Sequence, residues 1–388
     1  MERSRLAGII SIVGSPPRRQ ATRCRGWPRA ALLLWLTMGR RLSAGLDHLA
    51  TYVSRFPDRA TWDALRSLGP TLIDQPSALD TLDPPADVIA AWYTDARQVR
   101  AHHVVQADAF AELERAWWRS GVAVLIFKGF DTATRFYPDP SRRAMDDIDI
   151  LVRPADVAAA ASVAIERGFT RLIREPGRLG PVDDDVHAEW TLRRAFGRFS
   201  IEIDCHWRPI ADHRLAILLP GIEEIDLWDG AAPIAPEGAL RPSAPRAALH
   251  CAISQIVGHP WSHPLGYLDL YLLGDDETWP TTLTLARRAG LLSSLALAAR
   301  FARALYGAPG PPSIDAPWAV RTMVGDDWLG RNAWRRQMFA RDVLLIALSR
   351  PRRLATLIRS ESARLARRRN PGGDSRDRAS ATAALGPS

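Results

Sequence analysis

The segment Asp147-Ile-Asp-Ile-Leu-Val152 sets two carboxylates two residues apart inside an alternating apolar pattern. On a β-strand, successive side chains point to opposite faces, so Asp147 and Asp149 share one face while Ile148, Ile150 and Val152 share the other. The two backbone positions then stand about 6.6 Å apart. Carboxylates placed so close raise each other's pKa, because each disfavours the charged form of its neighbour. A divalent cation such as Mg²⁺ (or Mn²⁺) removes the repulsion, and Mg²⁺, with its preference for oxygen ligands, brings phosphate oxygens with it. For this pair alone, an edge strand with a solvated acidic face is an equally good reading.

A second alternating segment, Ile201-Glu-Ile-Asp-Cys-His-Trp207, turns Glu202, Asp204 and His206 to one face and its apolar residues to the other. Paired beside the first strand, it adds a third carboxylate, Asp204, to the cluster. Two metal ions held by three carboxylates can align an attacking hydroxyl with the α-phosphorus of a nucleoside triphosphate. That reaction needs positioning and charge neutralisation more than a reactive side chain. His206 by itself reads better as a packed, hydrogen-bonded histidine than as a ligand.

Of 51 basic side chains, a single one is lysine, at position 128. Arginine replaces lysine wherever a positive charge alone is enough, so a lysine kept in such a chain points to a site needing a compact charge. Survival by chance is the alternative. Lys128-Gly129 follows the apolar run Val122–Phe127 and precedes a short helical segment. A glycine there lets phosphates approach the backbone and a helix N-terminus, and Lys128 supplies a counter-charge. Arg143, four residues before Asp147, either contacts phosphate or pairs with Asp139 or Asp146. His259 and His263 each precede a proline, which disfavours helical i, i+4 ligand geometry, and they read as structural. The chain has no G-x-x-x-x-G-K-[S/T] loop, no G-x-G-x-x-G after a strand and no G-x-S-x-G elbow.

The elements that must position these residues follow from periodicity and punctuation. Pro84-Pro-Ala-Asp87 opens a helix reaching Ser120-Gly121, and 122–127 is a strand of buried length. Residues 130–136 suit a short helix, 137–143 a turn-rich loop and 147–152 a strand. A helix over 155–167 ends at Gly168, 169–173 reads as a strand, and a loop with Pro176, Gly177, Gly180 and Pro181 follows. Then comes a hairpin, 187–194 with 198–207, turning near Gly197. Helices follow at 213–219, 244–258, 265–273, 281–289 and 293–306. After Pro309-Gly-Pro-Pro312, a last helical region covers 327–348, a basic helix extends over 350–369, and 370–388 reads as disordered.

Charge divides the chain unevenly. Residues 1–41 carry +8 and residues 349–388 carry +7, which leaves −7 for 42–348 out of a total of +8. An acidic body argues against a nucleic-acid groove, which needs a basic stripe on the fold itself. The basic ends read as solvated tails. Three cysteines without metal-ligand spacing argue for a reducing compartment, and the protein reads as cytoplasmic. Arg-rich residues 18–29 and the apolar run 30–38 resemble the start of a signal peptide, but Arg40-Arg41 follow directly and no A-x-A site appears. That run is either an extension or the first helix of the fold, and nothing in the chain is apolar for long enough to span a bilayer. The domain reading is a basic extension over 1–41, a helical segment over 42–120, a core over 121–210, a C-terminal helical domain over 211–348 and a basic, partly disordered tail over 349–388.

The order strand, Lys-Gly, helix, loop, D-x-D strand, helix, Asp strand resembles the nucleotidyltransferase superfamily. More narrowly, Leu125-Ile-Phe-Lys-Gly-Phe130, the stretch from Tyr137 to Val152 and Ile203-Asp-Cys-His-Trp-Arg208 are similar to an uncharacterised bacterial nucleotidyltransferase family. Members of that group often stand among enzymes of ribosomal-peptide biosynthesis. The likeness continues through Ala248-Leu-His250, His259-Pro-Trp261 and Tyr267-Leu-Asp269, covering about residues 90–310. It implies an α/β (α+β) fold: a small mixed sheet flanked by helices, with an N-terminal helical segment and a C-terminal helical domain. It implies that Asp147, Asp149 and Asp204 are metal ligands and that Lys128 and Gly129 border a triphosphate. The implied reaction moves a nucleoside monophosphate from an NTP to an acceptor, a small molecule or peptide. Phe130 stands where the superfamily usually carries Ser. The alternatives are a non-catalytic nucleotide-binding partner and a kinase-like phosphoryl transferase.

Overall fold

The computed structural model describes residues 29–307, apart from 56, 58, 173–187, 211–218, 223 and 258–263, together with Arg359. The expectations for residues 1–28, for the loop around Pro176, for a helix at 213–219, for His259 and His263, and for the segments beyond 307 lie outside the described residues, save that Arg359 is helical.

Among the described residues five helices come first: α1 (Arg29–Val53), α2 (Arg59–Ala64), α3 (Gly69–Leu72), α4 (Pro76–Leu82) and α5 (Ala86–Arg119). Helix α1 runs without a break across position 41, where the basic run of the sequence ends. Leu42, Leu46, Leu49 and Val53 recur at helical spacing and are buried, and Arg41 donates to the carbonyls of Tyr271 at 2.8 Å and Gly274 at 3.0 Å. Pro85 precedes α5, Asp87 occupies its first turn and Arg119 its last, each favourably placed against the helix dipole. Gly121, at φ +71°, turns the chain out of α5 into the sheet.

The sheet has seven strands: β1 (Val124–Ile126), β2 (Asp147–Val152), β3 (Thr170–Arg171), β4 (Glu189–Phe196), β5 (Phe199–His206), β6 (Ala232–Pro233) and β7 (Leu240–Arg241). Their order is β3-β4-β5-β2-β1-β7-β6. Strand β2 lies antiparallel to β1 and parallel to β5, so the sheet is mixed. Helix α6 (Lys128–Phe136) joins β1 to the loop before β2, and α7 (Val157–Glu166) follows β2. Helix α6 begins two residues before the expected 130, and α7 two residues after the expected 155. Strands β4 and β5 form a hairpin over a two-residue turn in which Gly197 takes φ +58°. Four helices complete the described fold: α8 (Ala244–Val257), α9 (Pro264–Leu273), α10 (Thr278–Arg288) and α11 (Leu292–Tyr306). The architecture is the α+β arrangement expected, a mixed sheet flanked by helices. No helix among the described residues is long and apolar enough to cross a membrane.

The two faces of the sheet bury different partners. Ile148, Ile150, Val152, Ile201, Ile203 and Cys205 pack with the second half of α5 and with α7 in one core. Trp117 Nε1 ties those helices together by donating to Ala160 O at 3.0 Å. Leu125, Phe127 and Leu151 belong to a larger core that also holds α1, the first half of α5 and the C-terminal helices α8 to α11. The N-terminal and C-terminal helices thus cover one face of the sheet together. That is the face to which Asp147 and Asp149 point, because they alternate with Ile148 and Ile150.

Candidate active site

Register brings the polar residues together. Asp149 stands directly beside Asp204 across the parallel β2–β5 pair. Across the antiparallel β4–β5 pair, Thr191 opposes Asp204 and Glu189 opposes His206. Side chains opposite one another on adjacent strands are close neighbours, so three strands build one polar patch.

Asp149 is its centre and is only 6% exposed. Its Oδ1 accepts from Lys128 Nζ at 2.5 Å and lies 2.9 Å from His206 Nε2. Lys128 Nζ is itself 3.4 Å from that nitrogen. Thr191 Oγ1 donates to Asp204 Oδ1 at 2.7 Å. His206 Nδ1 lies 3.3 Å from Glu189 Oε2, close enough for attraction though not aligned as a full hydrogen bond. One ligand atom each from Asp149, Asp204 and His206 fall within 4.8 Å of one another, a spread that a single metal ion can bridge. The donor set, oxygens with one nitrogen and an excess of negative charge, fits a divalent cation.

The electrostatics say where a cation is wanted. Burial alone would raise the Asp149 carboxyl, but the Lys128 ammonium and His206 hold it well below the usual carboxylate range. Burial likewise works against the Lys128 charge, and Asp149 more than restores it, leaving its pKa raised. Asp147 is pushed up to about 7, first by burial and then by the charges of Asp149 and Asp204. Asp204 is also raised by burial and by Asp149, although its bond from Thr191 opposes this.

A stability prediction follows for Asp147. Its pKa in the fold, about 7, exceeds the ordinary value of 3.8, so without metal its ionisation destabilises the fold. The cost is full above pH 7, shrinks as pH falls, and is gone near pH 4. With metal chelated, Asp147→Asn is therefore expected to melt roughly 3–8 °C higher at pH 8 and to lose most of that advantage by pH 5. Thermal melts at the two pH values test this; a variant less stable than wild type at pH 8 would contradict it.

The junction of β1 and α6 is built unusually. Lys128 adopts φ +56°, a left-handed conformation that costs a non-glycine residue about 1–3 kcal/mol and persists mainly at functional sites. That turn aims its ammonium at Asp149. Next to it, a Cβ on Gly129 would meet Arg143 Nη1 at 2.4 Å. Gly129 thus makes room for an arginine on that side, where the sequence pointed to room for a phosphate. Arg143 pairs with neither Asp139 nor Asp146. Its Nε donates to both carboxylate oxygens of Asp269, at 3.1 and 3.0 Å, and its Nη2 donates at 2.5 Å. Tyr137 Oη donates to the same carboxylate at 3.3 Å. Asp139 is engaged instead by Ser141 and Arg142. Phe130 points away from the patch into the smaller core, its ring 5.0 Å from that of Phe110.

Two further polar residues near the patch are engaged elsewhere. Glu202 accepts from Arg193 Nε at 2.9 Å and from Nη2 at 2.5 Å, which occupies its charge near solvent. His250 lies 2.7 Å from Pro209 O, and burial lowers its pKa to about 4, so it stays neutral as a packed histidine. His206 lies nearer the cluster than its sequence reading implied. Glu189 and Thr191 went unnoticed in the sequence, and Asp269 entered only as part of the family likeness. A signal for the first two existed: a two-residue turn at Gly197-Arg198 sets Glu189 opposite His206 and Thr191 opposite Asp204 by counting alone.

Comparison with known families places residues 62–307 on the model of one described as uncharacterised nucleotidyltransferase. No curated protein matches the chain.

Proposed function

Since the chain belongs to the uncharacterised nucleotidyltransferase family, we propose that it moves a nucleoside monophosphate from an NTP to a hydroxyl or phosphate of an acceptor, in a metal-dependent reaction. The observation that carries this reading is the register of β2 with β5, which sets Asp149 beside Asp204. Asp147, Asp149 and Asp204 would hold Mg²⁺ or Mn²⁺, which when bound neutralises phosphate oxygens and polarises the reacting phosphorus.

The remaining work falls to the protein's own groups. Lys128, whose side chain is 30% exposed beside Asp149, offers its ammonium to the triphosphate. Gly129 follows it at the start of α6, and Arg143, locked on Asp269, braces that turn from behind. Asp204, oriented by Thr191, takes the proton of the acceptor hydroxyl. The acceptor oxygen then bonds to the α-phosphorus while the bond to the β-phosphate oxygen breaks, and pyrophosphate leaves. The acceptor is read as a small molecule or a peptide of ribosomal-peptide biosynthesis. The −7 charge over 42–348 disfavours a nucleic acid.

Phe130 in place of the superfamily's usual Ser favours one other reading, a nucleotide-binding partner without turnover. The test is incubation with Mg²⁺, NTPs labelled at the α or the γ position, and the products of neighbouring genes. Transfer of α label with release of pyrophosphate is the expected result. Transfer of γ label with release of a nucleoside diphosphate would assign phosphoryl transfer instead. NTP binding with neither product would assign the non-catalytic role.

A further inference from the structure

His206 has a geometry that a merely packed histidine does not need. It is 1% exposed, and its ring is held edge-on to Phe127 at 5.1 Å between centroids. On one side Nδ1 faces the Glu189 carboxylate at 3.3 Å; on the other Nε2 faces Asp149 Oδ1 at 2.9 Å. One ligand atom each from Asp149, Asp204 and His206 lie within 4.8 Å of one another, so the ring stands where a cation held by both carboxylates would reach it. The Lys128 ammonium stands beside this point, 2.5 Å from the Asp149 oxygen and 3.4 Å from Nε2.

We propose that His206 Nε2 is a nitrogen ligand of the metal centre, oriented by Glu189, and that it makes the centre select Mn²⁺ over Mg²⁺. The proposal rests on the carboxylate metal site described above. Mg²⁺ holds oxygen ligands and water tightly and gains little from imidazole, whereas first-row transition ions accept it, Mn²⁺ the most weakly of them. Mn²⁺ also keeps the oxygen-rich six-coordinate shell that triphosphate binding requires. The incoming ion takes the place of the ammonium, and Lys128, whose side chain is 30% exposed, swings outward to the phosphates. Lys128 is thus the cation that the metal displaces and its competitor for the centre.

The test uses the full chain with Mn²⁺ alone and with Mg²⁺ alone. Pulsed electron paramagnetic resonance of the Mn²⁺-loaded protein is expected to show coupling to an imidazole ¹⁴N that disappears in His206→Gln. Calorimetry is expected to show the Mn²⁺-to-Mg²⁺ affinity ratio falling at least about tenfold in that variant. Should His206→Gln fail to fold, Glu189→Gln keeps the ligand set and is expected to weaken Mn²⁺ binding about 10–100-fold. Lys128→Met, lacking the competing ammonium, is expected to bind Mn²⁺ more tightly than wild type without nucleotide; weaker binding would overturn the displacement. Bound Mn²⁺ without ¹⁴N coupling in wild type would overturn nitrogen ligation while leaving the carboxylate site standing. Failure of both ions to bind would remove both readings.

Discussion

Asp149→Asn is expected to lower turnover at least about a thousandfold while the fold survives. Asn keeps the shape of the side chain and removes its charge. In the structure that carboxylate meets Lys128 and His206 and stands beside Asp204. Without it a cation keeps Asp147 and Asp204, two raised carboxylates, but loses the one held ionised by its surroundings. The unfolding penalty is small, because Lys128 is partly exposed and can turn its ammonium to water. Steady-state rates at saturating NTP, metal calorimetry and far-ultraviolet circular dichroism on one preparation would separate these effects. A variant that folds, binds metal as wild type does and turns over within tenfold of it would take Asp149 out of the centre. Combined with Asp204→Asn, the loss should be far from additive, since both serve one site.

Asp269→Leu is expected to produce the largest loss of stability, about 3–5 kcal/mol, because it leaves a buried guanidinium without its counter-charge. The side chains of Arg143 and Asp269 are 11% and 4% exposed, so water cannot replace the lost partner. Tyr137 Oη would lose its acceptor as well. For a chain of this size the melting temperature should fall by roughly 6–20 °C. The double variant Arg143→Met with Asp269→Leu removes both charges and is expected to recover most of the loss, as apolar replacement of a whole buried pair often does. Denaturant titration of the three variants checks this cycle. If the double variant were as unstable as the single one, the pair would not be the source of the loss. The same double variant measures what Arg143 does for nucleotide: as a brace behind Gly129 it should change NTP affinity less than tenfold, and a larger loss would return it to phosphate contact.

Much of the framework around these residues was legible locally. Alternation in 147–152 and 199–206 encodes which side chains share a strand face, because that period is a property of the extended backbone. Gly121 and Gly197 mark places where the chain needs positive φ, and the elements change there. The order of the elements, with Lys-Gly after the first strand, was enough to resemble the family to which residues 62–307 belong. Strands β6 and β7, two residues each, were missed because a period cannot be read from two residues.

What the sequence determined by itself, then, is the set of acidic strand faces, the lone lysine ahead of them and the α+β order that carries both. Only the tertiary structure decided which of those charges meet. Arg143 finds Asp269, 126 positions away on a helix of the C-terminal group, in place of the nearby Asp139 or Asp146. Glu202 and Asp204 share a strand face, yet one is neutralised by Arg193 and the other joins the patch. His206 becomes a neighbour of Asp149 because β5 runs parallel to β2, and of Glu189 because β4 folds back on β5. The physical reason is that pairing energies depend on distance and burial, and neither is written in the spacing of residues along one strand. They are set by register between strands and by the helices that close over them.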